Sequence, residues 1–136
     1  MLTAADLLGV GEWLLAATVD YAGVREQFGR PIGSFQVVKH KAADMLAALK
    51  GVRAATYYAA MALDARTDDA TRAASVAKAF ASEQVPLVAG QALQAHGGIG
   101  FTWEHDLHLY LRRATVDAVL FGDAGFHHDR VATLLR

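Results

Sequence analysis

Apolar residues recur at three- and four-residue steps through most of the chain, a spacing that places them on one face of an α-helix. No stretch alternates apolar and polar residues as a half-buried strand would. The clearest helical run spans about eight turns to Leu63 and contains Phe35, Val38, Ala42, Met45, Leu46, Leu49 and Val52. The pattern therefore predicts an all-α chain.

The first two long helices are predicted from their boundary residues. The first begins at about Ala4, where the hydroxyl of Thr3 can cap the free amides, and Gly29 and Pro31 mark its end. The second takes Ser34 as its N-cap. Both are long enough to form part of a bundle.

A third long helix is predicted after the polar turn of residues 66–69, and it continues to about His96. Pro86 lies inside it. Because proline lacks an amide donor and crowds the carbonyl four residues earlier, we expect a kink rather than a break. Three glycines among residues 97–100 then predict a loop, since glycine permits positive φ.

Two shorter helices are predicted near the C-terminus. Thr102 can cap a helix that ends near Arg113, and the last helix covers about 124–135. The pattern places no firm boundary within residues 114–123. Helices joined by short turns predict an up-and-down four-helix bundle with a short extra helix, formed as one domain by residues 1–136.

Charge and composition exclude several functions. Thirteen Lys and Arg stand against fourteen Asp and Glu, so no strong field would attract nucleic acid or an anionic membrane. With no cysteine there is no disulfide framework and no thiolate site, in agreement with a cytoplasmic protein. The apolar runs are interrupted by charged residues, so we expect no membrane-spanning helix.

Two segments could carry chemistry. The first reads YAGVREQFGRPIGSFQ and includes Arg25 beside a Pro/Gly turn. It is either a plain helix-turn-helix junction or a phosphate site, because a guanidinium binds anions in a bidentate manner. The second, QAHGGIGFT from Gln94, is either a glycine C-cap with a loop or a ligand site.

Together the two segments resemble the acyl-CoA dehydrogenase family. The resemblance extends from Tyr21 through RxQFGxPIxxFQ and the AxxxKAF stretch at 74–80 to QAHGGIGFTWEHDLHLYLRR, which ends at Arg113. It implies a three-domain flavoenzyme, in which this chain is the C-terminal helical bundle domain. The N-terminal helical domain and the middle β domain of that family would be absent from residues 1–136.

The resemblance also implies an FAD site shared between subunits of a homo- or hetero-oligomer, a dimer or a tetramer. Arg25 would bind the flavin pyrophosphate of a neighbouring subunit. The other implied cofactor-binding residues are Gln27, Phe28, Phe35, Gln36, Gln94, Ala95, His96, Gly97 and Gly98. An electron-transfer flavoprotein would be the electron acceptor.

The implied reaction is the α,β-dehydrogenation of an acyl-CoA thioester to its trans-2-enoyl product. In many members the base is a glutamate before the last helix, and Phe121 stands at that position here. Gly122 beside it would be a substrate contact. Phenylalanine cannot accept a proton, so the usual base is missing.

Three sources of a base remain open. A longer parent chain could carry it upstream of Met1, on the helix before Tyr21 and Arg25. Asp123 could act from two residues away, although a small displacement of a catalytic group is costly. A partner subunit could supply it in a heteromeric enzyme, the alternative that we favour.

Two further interpretations compete with these. A helical oligomerisation module could keep the family's surface without its chemistry. The histidine pairs His105/His108 and His127/His128 could bind a metal, but neither has a third ligand at convincing spacing, so we expect no metal site.

Overall fold

The computed structural model describes residues 1–135, and these residues form five α-helices. Their bounds are α1 Leu2–Val24, α2 Gln36–Asp64, α3 Ala70–His96, α4 Leu107–Val119 and α5 Ala124–Leu134. The predicted all-α class is confirmed.

Contacts between the helices give their directions. Lys41, near the start of α2, approaches Gln94, near the end of α3, so these two helices are antiparallel. Lys78 in α3 bonds to Ala118 near the end of α4, so α3 and α4 are antiparallel as well. The ends of α1 and α3 meet through Tyr21, which places α1 parallel to α3. The predicted up-and-down bundle is therefore confirmed, with α5 as the short extra helix packed on α3.

The core lies where α1, α2 and α3 meet, and α4 closes it. Its large members are fully buried and come from all four helices, as shown by Leu7, Met45, Val85 and Leu107. The buried face of α3 is rich in alanine, which lets neighbouring helices approach closely: Ala73, Ala77, Ala81, Ala89 and Ala92. This packing makes α3 the central helix of the domain.

The three predicted N-caps were wrong. Thr3 lies inside α1, whose cap position is Met1. Phe35 occupies the cap position of α2, and the Ser34 hydroxyl instead donates to the Pro31 carbonyl oxygen at 2.7 Å. The Thr102 hydroxyl likewise donates backwards, to the Ile99 carbonyl oxygen at 2.9 Å, and α4 begins only at Leu107. Each hydroxyl satisfies a local carbonyl, which competes with capping.

Other local features also differ from the sequence prediction. Residues 26–31 form a two-stranded antiparallel hairpin of two residues per strand, too short to give a strand pattern in the sequence. Residues 97–101 form a 3₁₀ helix instead of an open loop. Helix α4 continues to Val119, six residues beyond the predicted end. By contrast, helix α3 runs through Pro86 without a break, as predicted, and the kink expected there stays a prediction.

Helix α1 is long and apolar enough to cross a membrane, by length and composition alone. The expectation that no segment passes this test was wrong. In the structure Leu7 and Leu14 of this helix are fully buried in the bundle core. The core helix of a soluble protein passes the same test, so the feature is weak evidence for a membrane segment.

Candidate functional site

The segment between α1 and α2 folds into a tight hairpin. Glu26 and Gln27 pair with Pro31 and Arg30 respectively. Phe28 and Gly29 form the two-residue turn, with φ of 54° and 75°. A two-residue hairpin turn of the type I′ kind needs positive φ at both central residues, which glycine adopts without cost and phenylalanine does not.

Aromatic contacts connect this hairpin to the start of α2. The guanidinium of Arg30 lies over the Phe35 ring, 4.2 Å from its centroid. Phe28 meets the same ring edge-on, with centroids 6.1 Å apart, yet the Phe28 side chain is 93% exposed. An apolar ring this exposed, on a strained backbone, is a candidate contact for a ligand or a second subunit.

Arg25 stands at the junction of α1 and the hairpin. Its carbonyl oxygen accepts a 2.8 Å bond from the Ile32 amide, which fixes the backbone. Its side chain is exposed, and none of the ion pairs found among residues 1–135 involves it. Gln27 and Gln36 are exposed on the same segment. A guanidinium without an internal carboxylate can bind an external anion.

The end of α3 presents a buried histidine. The imidazole of His96 is 3% exposed and stacks on Tyr21 with centroids 4.5 Å apart. Its Nδ1 donates to the Ala92 carbonyl oxygen at 2.8 Å, so Nε2 is an acceptor, and it has no partner within residues 1–135. Burial lowers the pKa of His96. A neutral imidazole results, held between α1 and α3.

The backbone beyond His96 is open to a ligand. Gly97 has a φ of 62° and ψ of −139°, a conformation that essentially only glycine adopts. A Cβ placed on Gly97 or Gly98 would meet nothing within 4 Å, so these peptide groups face free space. Gln94 is exposed one turn earlier, with Oε1 3.4 Å from Lys41 Nζ, and Ala95 is half-buried.

The structure therefore brings the two predicted segments to one end of the bundle. Tyr21 precedes Arg25 by one helical turn, and it stacks on His96, which directly precedes Gly97. An exposed cation and an accessible glycine backbone lie at the paired ends of α1 and α3. That these residues bind FAD stays a prediction, but the arrangement fits a diphosphate group.

The turn between α4 and α5 is at the other end of α3. Phe121 has a φ of 60° and is 79% exposed, and Gly122 has a φ of 102°. Asp123 is the N-cap of α5, with Oδ1 accepting a 2.8 Å bond from the Phe126 amide. The position expected to carry a base is thus solvent-facing and occupied by an apolar ring.

Sequence reasoning missed the side chains that hold this turn. Lys78 is 2% exposed, and its Nζ donates to the carbonyl oxygens of Ala118 at 3.0 Å and Gly122 at 2.8 Å. Burial lowers the pKa of Lys78, and the carboxylates of Asp117 and Asp123 act in the opposite direction. The sequence carried one indication, a lysine within the alanine-rich face of α3.

The histidine pairs have structural partners. His105 Nδ1 accepts from the Leu107 amide at 3.1 Å, and His108 Nδ1 lies 2.8 Å from the His105 carbonyl oxygen. His127 bonds to the Phe121 carbonyl oxygen, and His128 lies 3.0 Å from Glu83. Within residues 1–135 no group of three His, Cys, Asp or Glu side chains could hold a metal ion.

The described residues thus form an up-and-down helical bundle with an exposed arginine and an accessible glycine backbone at one end. Residues 1–135 match the family model of the acyl-CoA dehydrogenase C-terminal domain. The chain belongs to the acyl-CoA dehydrogenase family, and the resemblance found in its motifs is confirmed.

Two curated relatives illustrate the match. Acyl-CoA dehydrogenase FadE34 of Mycobacterium tuberculosis is 46% identical over 134 residues, which cover 96% of this chain and 19% of the relative. Acyl-CoA dehydrogenase IpdE2 of Mycolicibacterium smegmatis is 42% identical over 122 residues, which cover 90% of this chain and 37% of the relative. The chain therefore spans about a third or less of these relatives.

Solved structures share the fold. A chain of the Tcur3481-Tcur3483 steroid ACAD, as a G363A variant, superposes with a TM-score of 0.92 at 34% identity, covering 98% of this chain and 37% of that one. A chain of the FAD complex of PigA gives a TM-score of 0.90 at 29% identity, covering 97% and 34%. The PigA structure is a complex with FAD.

Proposed function

We propose that this chain is the C-terminal domain of an FAD-dependent acyl-CoA dehydrogenase, that it completes an inter-subunit FAD site and the oligomer, and that it needs a partner for the catalytic base. The N-terminal helical domain and the middle β domain that the resemblance implies would lie outside residues 1–136. The reaction would be α,β-dehydrogenation of an acyl-CoA thioester.

The end of the bundle supports the cofactor assignment. Arg25 offers an exposed guanidinium to the pyrophosphate, and Gly97 and Gly98 leave their backbone accessible, so the residues present fit the group. Gln27, Phe28, Phe35, Gln36, Gln94, Ala95 and His96 complete the proposed contact set. When bound, FAD supplies the acceptor for the hydride that leaves the β-carbon.

Phe121 is the observation that carries the proposed need for a partner. The α-proton must pass to a base within hydrogen-bond reach, and the side chain at this position has no acceptor atom. Gly122, the proposed substrate contact, lies next to it on the same turn. A site with its cofactor residues kept and its base replaced suits a subunit that works with a second, base-carrying subunit.

Asp123 is a poor substitute for that base. Its Oδ1 already accepts the Phe126 amide as the cap of α5, so turning it toward a substrate would cost the helix its cap, about 1 kcal/mol. A base upstream of Met1 in a longer chain stays an alternative. The Tcur3481-Tcur3483 steroid ACAD, a two-component protein by its name and similar to this chain in fold, favours the heteromeric arrangement.

Flavin content of an assembled enzyme tests the proposal. The full-length parent of this chain is co-expressed with other members of the family, and flavin absorbance and acyl-CoA oxidation are measured on the purified complex. Arg25→Ala should weaken FAD binding by roughly 1.5–3 kcal/mol through the loss of charge-assisted hydrogen bonds. Arg130→Ala, an exposed arginine on α5, is the matched control. Equal flavin loss in both variants would argue against the site.

A non-catalytic oligomerisation module is the second candidate function. It is favoured by large apolar side chains that are more than 70% exposed, namely Leu2, Val24, Phe28, Phe101, Trp103 and Phe121. Such surfaces promote association, so the isolated chain should self-associate in sedimentation experiments. Flavin binding separates the two functions, because a module would assemble without retaining FAD.

The remaining partners follow from the same proposal. An acyl-CoA thioester would be the substrate, and an electron-transfer flavoprotein would reoxidise the flavin. The near-neutral charge offers no attraction to nucleic acid or anionic lipid, and a cytoplasmic location agrees with the absence of cysteine from the sequence.

A further inference from the structure

The turn between α4 and α5 is held from α3 by a buried ammonium. Nζ of Lys78 donates to Ser82 Oγ at 2.7 Å and to the carbonyl oxygens of Ala118 and Gly122. An ammonium has three N–H donors and no acceptor, so every donor of Lys78 is used. Two of the three bonds go to the backbone at the two ends of the turn.

A second side chain holds the same turn from α5. The imidazole of His127 is 7% exposed, and its Nε2 donates to the Phe121 carbonyl oxygen at 3.2 Å. The ring also meets Phe126 edge-on, with centroids 5.1 Å apart. Together Lys78 and His127 bond to the carbonyl oxygens of residues 118, 121 and 122.

The backbone that they hold is strained. Phe121 lies in the left-handed region, which costs a non-glycine residue roughly 1–2 kcal/mol. Its ring is 79% exposed, so packing within the domain does not offset that cost. Such a conformation persists only where surrounding bonds determine it, and these conformations cluster at functional sites.

The bonds of Lys78 go mainly to carbonyl groups, and this suggests a role beyond stability. A buried charge can often be replaced by an apolar side chain of similar volume without loss of stability. A methionine at position 78 would fill similar space but could not bond to the turn. What the ammonium adds is the fixed geometry of residues 118–122.

We propose that Lys78 and His127 are positioning residues that fix the backbone of residues 120–122 and so aim residues 121 and 122 at the acyl-CoA substrate. This inference rests on the proposed function for its substrate. The two side chains act through the turn: Lys78 is buried in the bundle, and it bonds to the turn rather than facing solvent.

The geometry is tested by fluorine NMR on the chain labelled with 4-fluorophenylalanine at its six phenylalanines. Phe121→Leu and Phe28→Leu assign the two resonances of interest. Lys78→Met should shift the Phe121 resonance toward its unfolded position and broaden it, while the Phe28 resonance is unchanged. Lys50→Met, which removes an exposed lysine from α2, is the matched control and should move neither.

A second pair of variants keeps the test decisive if Lys78→Met does not fold. His127→Leu removes the donor to the Phe121 carbonyl oxygen, whereas His127→Gln retains an N–H donor. The Leu variant should shift the Phe121 resonance. The Gln variant should shift it less, because it keeps a donor. An unmoved Phe121 resonance in the folded variants, or equal shifts for Leu and Gln, would overturn the proposal.

The co-expressed assembly separates this inference from the proposed function. Lys78 and Gln94 are sixteen residues apart in α3, about 24 Å at 1.5 Å per residue. Lys78→Met should therefore keep the flavin and lower kcat/KM for acyl-CoA about tenfold or more, since small misplacements are costly. An unchanged kcat/KM with a shifted resonance would overturn the substrate role. Absence of flavin with the unmodified chain would instead count against the proposed function alone.

Discussion

The imidazole of His96 stacks on the phenol ring of Tyr21, with centroids 4.5 Å apart and 19° between the ring planes. The pair joins the last turn of α1 to the last turn of α3. Tyr21 is the first residue of one proposed cofactor segment, and His96 lies within the other. The stack therefore sets the position of Arg25 relative to Gly97. The protonation state of His96 affects the stack and hence both residues.

Stability should fall as the pH is lowered from 8 to 5.5. Burial lowers the pKa of both His96 and His127 in the folded chain, whereas the unfolded chain titrates near 6.5. The unfolded state then binds more protons. The contribution of the two neutral imidazoles to the unfolding free energy is therefore present above pH 6.5 and is lost as the pH falls below it. Urea denaturation at several pH values measures this.

The variant His96→Phe provides the control for that titration. It keeps an aromatic ring against Tyr21 but has no group that titrates. The difference in unfolding free energy between pH 8 and pH 5.5 should be smaller than in the unmodified chain. An equal difference would mean that His96 does not contribute to the acid sensitivity.

Gly33 should not tolerate a side chain, because α1 passes too close. A Cβ at this position would lie 2.9 Å from the Ala22 carbonyl oxygen, a backbone atom that cannot move alone. Gly33→Ala should lower the unfolding free energy by about 1–3 kcal/mol. Gly23→Ala is the matched control, since its Cβ meets nothing within 4 Å, and it should raise stability by up to about 1 kcal/mol. Thermal unfolding of both variants checks the pair.

Helical periodicity was sufficient to predict the bundle, since a run such as Met45, Leu49 and Val52 turns out to be buried on one face of α2. The helix starts could not be predicted as well. Ser34 and Thr102 have side chains suited to capping, but each hydroxyl bonds to a carbonyl three residues earlier. Whether a hydroxyl caps a helix or bonds to a preceding carbonyl depends on the three-dimensional path of the chain.

The site was only partly predictable for a related reason. Arg25 and Gly97 could be identified from residue types and motifs, because their chemistry is local. The roles of Lys78 and His127 could not, since Lys78 bonds to residues 40 and 44 positions away and the bond of His127 depends on the turn conformation. Long-range hydrogen bonds leave little trace in a single sequence.

Arg113 should matter more than an equally exposed arginine elsewhere. It donates to the buried carboxyl group of Asp117 at 2.9 Å and to Asp6 at 2.7 Å, thereby joining α4 to α1. Burial raises the pKa of Asp117. Arg113→Met leaves that carboxyl group buried with one fewer partner and should lower the midpoint of chemical denaturation.

Arg53 is the control for this comparison. It pairs with Glu12, but the two side chains are 60% and 39% exposed. Arg53→Met should therefore lower the denaturation midpoint less than Arg113→Met does. Equal losses for the two variants in chemical denaturation would show that burial of Asp117 does not govern the cost.

The two exposed phenylalanines with positive φ should be stabilised by glycine. Phe28 and Phe121 have φ of 54° and 60° and are 93% and 79% exposed. Because glycine adopts this region without strain, each Phe→Gly change should raise the unfolding free energy by about 1 kcal/mol, less the entropy that glycine adds to the unfolded chain. Phe101→Gly, at a residue that is exposed without positive φ, should give no gain. No gain at Phe28 or Phe121 would indicate that the strain is absent in solution.

A carboxylate at position 121 should restore a base to the turn. In the FAD-containing assembly, Phe121→Glu places an acceptor where the family often has one, on a backbone already held by Lys78 and His127. General-base catalysis contributes about 10²–10⁴-fold, so acyl-CoA oxidation at this subunit's site should rise at least tenfold and increase with pH as the glutamate ionises. Phe121→Gln has a similar shape without a base and should give no gain. Equal rates for the Glu and Gln variants, with flavin retained, would mean that the turn does not face the substrate.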